Sequence, residues 1–325
     1  MYQFEITSNE AGQRFDKYLH KLLPKAPSSF FYKMLRKKNI VLNGKKAEGK
    51  EKLFTGDKVS LFLSKETFEN FAKEDKNSNE YLLAYRNLKG PEIIYENEHM
   101  ILIDKPAGIL TQKAKDTDFS VNEWLIGYLL DKGEITESSL HTYKPSVCNR
   151  LDRNTSGLVI CAKSLKGSQD LSLLIKKRKI RKFYRLFVKG HIEKEKTIEG
   201  YLSKDESANK VSISQIQTEN ASYIKTRYYP LKQLSDMTYL EVELITGKTH
   251  QIRAHMAMEG HPLLMDPKYG DAAFNAKYKN KLKAQGQLLH AYRLEFPVEE
   301  ELLKGEEHIF TAKEPDAFLT ILKEP

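Results

Sequence analysis

The chain is short of everything needed for a covalent or metal-bound framework. Its 325 residues include two cysteines, Cys148 and Cys161, and no Cys-x-x-Cys pair. That excludes a disulfide scaffold or a cysteine zinc site and points to a reducing interior, with both thiols read as small buried groups. No apolar run approaches the roughly 18 residues that suggest a membrane span. The opening stretch, MYQFEITSNE, lacks the basic start and apolar run of a signal peptide. A cytoplasmic, soluble protein with no membrane partner is expected. Neither a GxGxxG segment nor a phosphate loop of the full GxxxxGK(S/T) form occurs, which removes most ATP and dinucleotide enzymes.

Positive charge, by contrast, is abundant. Lysine and arginine number 53 against 44 acidic residues, a formal charge of +9 with a pI near 9.1. Such a balance favours a polyanionic partner, because phosphate neutralisation releases counterions; a merely lysine-rich surface gives the same composition. Forty per cent hydrophobic residues, with 15 Phe and 17 Tyr, indicate a folded protein long enough for two or three domains.

Residues 14–23 place Phe15, Tyr18, Leu19, Leu22 and Leu23 on one helical face. Pro24 and Pro27 break that helix, and Ser28 or Ser29 is expected to cap a second one carrying Phe31, Met34 and Leu35 inward. Asn43-Gly44 is a type I′ hairpin signal, and residues 59–63 read as a further strand. Residues 1–64 therefore form a small α/β module, and the polar, charged stretch 65–90 reads as a partly helical linker. Beyond it, from 91 to 325, come strand-like runs such as EIIYE, MILIDKP, LVICA, FYRLFV and YLEVELI. Helix-like segments at 121–130 and 251–259 separate some of them. Mixed strands with few helices predict an α+β domain on a mixed or antiparallel sheet.

The segment CNRLDRNTSGLVICAKS, 148–164, sets Asp152 between Arg150 and Arg153, ahead of a polar turn and a buried-looking strand. Two flanking guanidinium groups are expected to hold the carboxylate ionised, as suits a nucleophile or base. An exposed Asp in a charged turn is the bland alternative. Residues 149–158, NRLDRNTSGL, resemble the signature of the RluA-type pseudouridine synthases, in the branch that includes RluC and RluD. The resemblance continues at KPAG (105–108), RKFYRLFVKG (181–190), TGKTHQIRAHMAMEGHPLLMDPKYG (246–270) and LLHAYRLEF (288–296). An ordered series of five motifs is far more specific than any one of them. The N-terminal module resembles the S-four RNA-binding module often fused to these enzymes.

The resemblance implies the pseudouridine synthase fold and RNA, most of all large-subunit ribosomal RNA, as partner. It also implies a role for each matching residue. Asp152 takes the place of the catalytic aspartate, and Arg150 that of the arginine filling the gap left by a flipped uridine. Tyr184 matches the tyrosine that stacks on the base, and Arg253 the arginine that pairs with the carboxylate. Arg153, Lys248 and His250 join the RNA-contacting set. Lys33, Arg36, Lys37, Lys38, Lys45 and Lys46 form a candidate phosphate-contacting patch, though solvated surface lysines give the same letters. Asn149 and Lys248 depart from the family's usual histidine and arginine.

Isomerisation of uridine to its C-glycoside neither oxidises nor hydrolyses anything, so no cofactor or metal is expected. His250, His255 and His261 match no zinc spacing. One carboxylate can attack the sugar, add to the ring or take the 2′ proton; each route needs an oxygen held close to the reacting atom. A stacked base cannot present these atoms, so flipping onto an aromatic face is expected. In FYRLFV, alternation puts Tyr184, Leu186 and Val188 on one strand face, while Arg253 falls on a helix with His250 and Ala257 on its stripe. Competing readings are a non-catalytic ribosome-assembly factor, a synthase acting on transfer RNA, and a glycosidic hydrolase, which would need two spaced carboxylates. A monomer is the simplest expectation.

Overall fold

The structure is a computed structural model describing residues 1–72, 78–205, 210–282, 284 and 286–323. Its N-terminal part consists of β1 (Tyr2–Glu5), α1 (Phe15–Leu22), α2 (Ser28–Arg36), β2 (Ile40–Leu42), β3 (Lys45–Lys46) and β4 (Lys58–Leu61). The strands pair antiparallel in the order β1-β4-β2-β3. Phe15, Leu19, Phe31 and Leu35 of the two helices pack on Ile40, Val59 and Leu61 of the sheet. Asn43 and Gly44 both adopt positive φ, 51° and 72°, as a two-residue hairpin requires. One expectation fails. Ser28 is already helical, and the cap is Pro27, extended at φ −70° and ψ 151°, without a side-chain cap. Its carbonyl accepts from Phe30 N at 2.9 Å, so neither Ser28 nor Ser29 has a capping task.

The stretch read as a linker contains α3 (Lys65–Phe71) and α4 (Ser78–Asn87); residues 73–77 lie outside the described residues. Helix α4 is no solvent-bridging spacer. It lies against α5 (Val121–Asp131), buries Tyr81 in the main core and pairs Glu80 with Lys113. The helices touch at Gly127, where an added Cβ would stand 2.0 Å from the Tyr81 carbonyl oxygen. Periodicity missed this because a polar helix with a narrow apolar stripe reads like a linker.

The larger part carries β5 (Glu92–Glu96), β6 (Met100–Lys105), β7 (Ser146–Val147), β8 (Ser156–Ala162), β9 (Arg181–Lys189), β10 (Lys196–Asp205) and β11 (Lys210–Ser214). It continues with β12 (Ser222–Gln233), β13 (Met237–Leu244), β14 (Leu289–Glu295) and β15 (Ile309–Thr311), and with helices α6 (Leu165–Lys176), α7 (Gln251–Met258), α8 (Ala272–Tyr278) and α9 (Asp316–Leu322). The eleven strands form one sheet ordered β11-β10-β12-β13-β9-β14-β8-β6-β5, with β15 on β14 and β7 on β8. All its pairs are antiparallel except β8 with β14, so the α+β, mixed-sheet expectation holds. The parallel pair explains the glycine of the Asn-Thr-Ser-Gly turn. Gly157 has φ 106°, and a Cβ there would lie 2.2 Å from the Ala291 carbonyl oxygen.

Strand alternation divides the core between the faces of the sheet. Ile101, Ile103, Val159, Tyr184, Leu186 and Val188 pack with α5 and α7 on one face. Met100, Leu102, Leu158 and Ile160 pack with Leu171 of α6 and Phe310 on the other. The N-terminal part is fastened on by Thr142 Oγ1 donating to Glu10 Oε1 at 2.9 Å and Leu165 N donating to Asn9 O at 3.2 Å.

Two core histidines give stability a pH dependence. His255 Nδ1 pairs with Thr226 Oγ1 and His290 Nδ1 with Ser156 Oγ, each at 2.9 Å. Burial pushes both rings down to about 4. Below about pH 6.5 the unfolded chain takes up protons that the folded one refuses, so stability falls from there toward pH 4, by at most about 3 kcal/mol per histidine. Denaturant unfolding across that range should show this acid slope, and His255→Gln should reduce it; an unchanged slope would contradict the assignment.

Candidate active site

A cavity of about 670 Å³ opens where the turn before β8, strand β9 and the start of α7 converge, a volume suited to a nucleotide-sized ligand. Its floor is the turn that carries Asp152, and that turn is held from several sides. Thr111 Oγ1 donates to Leu151 O at 2.8 Å and accepts from Leu151 N at 3.1 Å. Arg153 O accepts from Gly108 N at 2.9 Å and from Lys105 Nζ at 3.1 Å. Gln287 Nε2 donates to Thr155 Oγ1 at 3.1 Å. Asn149 ties the turn to β8, its Oδ1 accepting from Ile160 N at 2.7 Å. The residue that departs from the family signature is thus a backbone anchor.

The carboxylate of Asp152 is paired through space. Arg253 Nη1 donates to Asp152 Oδ2 at 2.8 Å. Among the described residues neither Arg150 nor Arg153 forms an ion pair with it, so the expected two flanking guanidinium groups are replaced by one from α7, 101 residues away. The arginine is itself fixed. Its Nε and Nη2 donate to Asp266 Oδ2 and Oδ1 at 2.7 and 2.9 Å, with side-chain exposures of 4% for Arg253 and 0% for Asp266. Burial would raise the Asp266 carboxyl, but the hydrogen bonds and charge of Arg253, with the backbone N–H groups of Lys268 and Tyr269, outweigh it and hold the group below the usual range. A planar guanidinium spent on one buried acid presents its remaining nitrogen in a fixed direction. Asp152 Oδ1 accepts no hydrogen bond among the described residues, and its side chain is 29% exposed. One oxygen is clamped and the other is left open, on a residue that lines the cavity.

Tyr184 lines the same space from β9. Burial first, then the charge of Asp152, pushes its hydroxyl up, so it stays protonated. No aromatic ring stacks on it among the described residues. His250 is not on the helical stripe. It precedes α7 in the left-handed conformation, φ 55° and ψ 15°, a strained choice for a non-glycine residue of the kind found at functional sites. Its Nδ1 pairs with Tyr269 Oη at 3.1 Å and its Nε2 lies 3.8 Å from Asp152 Oδ2. Burial, with the charges of Arg253 and Lys268, outweighs the pull of Asp152 and leaves the ring below its ordinary value. Arg150, Arg153 and Lys248 are exposed at the mouth. Lys33, Arg36, Lys37, Lys38, Lys45 and Lys46 are exposed on α2, the following turn and β3, outside the cavity lining; among the described residues none has an ion-pair partner.

Sequence reading missed two groups. Asp266, in the segment DPKYG, has no role assigned from sequence; only folding brings it against Arg253. Lys105, in KPAG, is fully buried, and donates to the carbonyls of Pro106, Ile109 and Arg153 at 2.9 to 3.1 Å. Burial pushes its ammonium down to about 7 against the opposing pull of Asp152 and Asp104. It knits the KPAG turn to the Asp152 turn.

Among the described residues lining the cavity, Asp152 is the one acid, beside the cations Arg150, Arg153, Lys182, Lys248, Arg253 and Lys268. Such a lining attracts a phosphate-bearing ligand and offers it one carboxylate oxygen. It does not supply the paired acids of a glycoside hydrolase. No group of three or more His, Cys, Asp or Glu suited to a metal ion occurs among the described residues, and no helix among them is long and apolar enough to cross a membrane.

A family model described as RNA pseudouridylate synthase matches residues 99–258. The chain is 31% identical over 292 residues to ribosomal large subunit pseudouridine synthase C of Haemophilus influenzae, covering 90% of this chain and 85% of that protein. It is 28% identical over 320 residues to ribosomal large subunit pseudouridine synthase D of Neisseria meningitidis, covering 96% and 78%. Among solved structures, human RNA pseudouridylate synthase domain containing 4 superposes with a TM-score of 0.56 at 19% identity, covering 75% of this chain and 95% of that one; this likeness shows the fold.

If Asp266 aims Arg253, Asp266→Asn should lower turnover on an RNA substrate about 10- to 100-fold while leaving RNA affinity nearly unchanged, since small misplacements of reacting groups cost that much. Equal kcat for variant and parent would remove Asp266 from this role.

Proposed function

The chain belongs to the RluA-type family of RNA pseudouridine synthases, and from that premise we propose that its cavity isomerises selected uridines of large-subunit ribosomal RNA. The observation that carries the reading is the single carboxylate, clamped through one oxygen and open through the other, in a lining otherwise dominated by cations.

In this reading a uridine leaves the RNA stack and enters the cavity, where Tyr184 receives its base. Arg150, exposed at the mouth, fills the gap left in the RNA. The free oxygen of Asp152 acts on the nucleoside as the bond between ring nitrogen 1 and ribose carbon 1′ breaks. Uracil turns, carbon 5 bonds to carbon 1′, the carbon 5 proton passes to solvent and nitrogen 1 is protonated. Atoms balance without any oxidant or hydrolytic water. Arg253 keeps the carboxylate oriented through these steps. Residues 1–64 act as an S-four-type RNA-binding domain, with Lys33, Arg36, Lys37, Lys38, Lys45 and Lys46 against phosphates, ahead of a catalytic domain over 91–325. Lys248 and Arg153 add phosphate contacts at the mouth. The protein works as a monomer in the cytoplasm, where its substrate is made.

The names of the bacterial relatives support ribosomal RNA as substrate, and the basic N-terminal patch supports a large structured RNA. With RNA carrying tritium at uracil carbon 5, tritium release should match pseudouridine formed, one for one. Mapping in cells lacking the protein should show missing pseudouridines in large-subunit ribosomal RNA. Losses confined to transfer RNA would overturn the choice of substrate, and no tritium release from any RNA would overturn the activity.

A further inference from the structure

The inward face of β9 reads Lys182, Tyr184, Leu186, Val188, the alternate residues of one strand. Three of them belong to the core. The first is a lysine, in a phase where a strand buries apolar groups. It is half-buried and lines the cavity beside Tyr184, and among the described residues its side chain has neither an ion-pair partner nor a hydrogen bond. Its neighbours on the opposite face are matched. Arg181 pairs with Glu243 and Glu295, and Arg185 with Glu241 and Glu314. Burial alone lowers the Lys182 ammonium, with no acid to offset it. A desolvated cation without a protein anion is costly unless a ligand supplies the charge.

The chain leading to this lysine adds to the case. Ile175, in the last turn of α6, lines the cavity, and the wall is rejoined at Lys182. Between them stand Lys176, Lys177, Arg178 and Lys179, all exposed. Cations at a helix C-terminus are ordinary complements to its dipole, which accounts for Lys176 and Lys177. It does not account for Arg178, which holds a left-handed position, φ 55°, where glycine is the unstrained residue. Nor does it reach Lys182 on the strand.

We infer that Lys182 and the exposed cations of residues 176–179 form a phosphate subsite that grips the RNA strand at the cavity wall. Lys182 holds a phosphate next to the flipped nucleotide, and the turn holds those that follow. The inference rests on the RNA-isomerase reading, since a base entering beside Tyr184 brings its flanking phosphates to this wall. A base is read by the pocket; the backbone is positioned by such contacts.

The test uses the full chain, transcribed large-subunit ribosomal RNA labelled with tritium at uracil carbon 5, and affinity measured across a salt series. Lys182→Gln should flatten the slope of log affinity against log salt by about 0.7 to 0.9, the contribution of one phosphate contact. It should also raise KM about tenfold with a smaller change in kcat, a uniform-binding signature. Lys182→Arg should restore the slope. Replacing the four exposed cations 176–179 by Gln, away from the core, should flatten it further. A Lys182→Gln protein that melts like the parent and keeps the parent's slope would overturn the subsite at Lys182. An unchanged slope in the fourfold variant would overturn the turn's part, even if Lys182→Gln misfolds. A parent that binds RNA but releases no tritium would instead overturn the activity itself, which separates the two failures.

Discussion

The site depends on one guanidinium shared between two acids. Arg253 spends two nitrogens on buried Asp266 and turns the third to Asp152. The first contact lies wholly inside the protein, so it fixes the arginine before any ligand arrives; the second reaches the cavity, where it fixes one carboxylate oxygen and leaves its twin open. A lone surface pair of the same charges would contribute little and wander. Rigidity behind the arginine turns an ordinary ion pair into an aimed one.

The fold serves that geometry. Asp152 and Arg253 come from segments a hundred residues apart, joined because β8 and β9 both flank β14 at the middle of the sheet while α7 packs on the same face. The parallel β8–β14 pair, with Gly157 pressed against the Ala291 carbonyl, sets where the Asp152 turn ends. Lys105, Thr111 and Asn149 then pin its backbone. The floor is preorganised, while the exposed Arg150, Arg153 and Lys248 at the mouth supply adaptable charge. That division suits an enzyme whose reaction moves no net charge out of the site but whose substrate carries a charge at every nucleotide.

Much of this was legible in the sequence. Alternation placed Tyr184 with Leu186 and Val188 on the inner face of β9, the Asn43-Gly44 pair marked its hairpin, and 121–130 and 251–259 proved helical to within a residue or so. Those signals are local, carried by neighbours in the chain. What escaped was pairing through space. Arg150 and Arg153 flank Asp152 in sequence, yet a side chain from α7 holds it. Asp266 and Lys105 went unassigned because burial cannot be read from a charged letter. His250 looked helical because its neighbours are, and its left-handed backbone leaves no trace in composition.

The most direct test of the central claim replaces Asp152 by its uncharged isostere. Asp152→Asn keeps the shape and an acceptor for Arg253 while removing the negative charge. Single-turnover tritium release on bound ribosomal RNA should fall by about 10⁴-fold or more, as loss of an essential nucleophile or base implies, with RNA affinity within a few-fold of the parent. Release within tenfold of the parent's, from protein shown to carry asparagine throughout, would contradict the account.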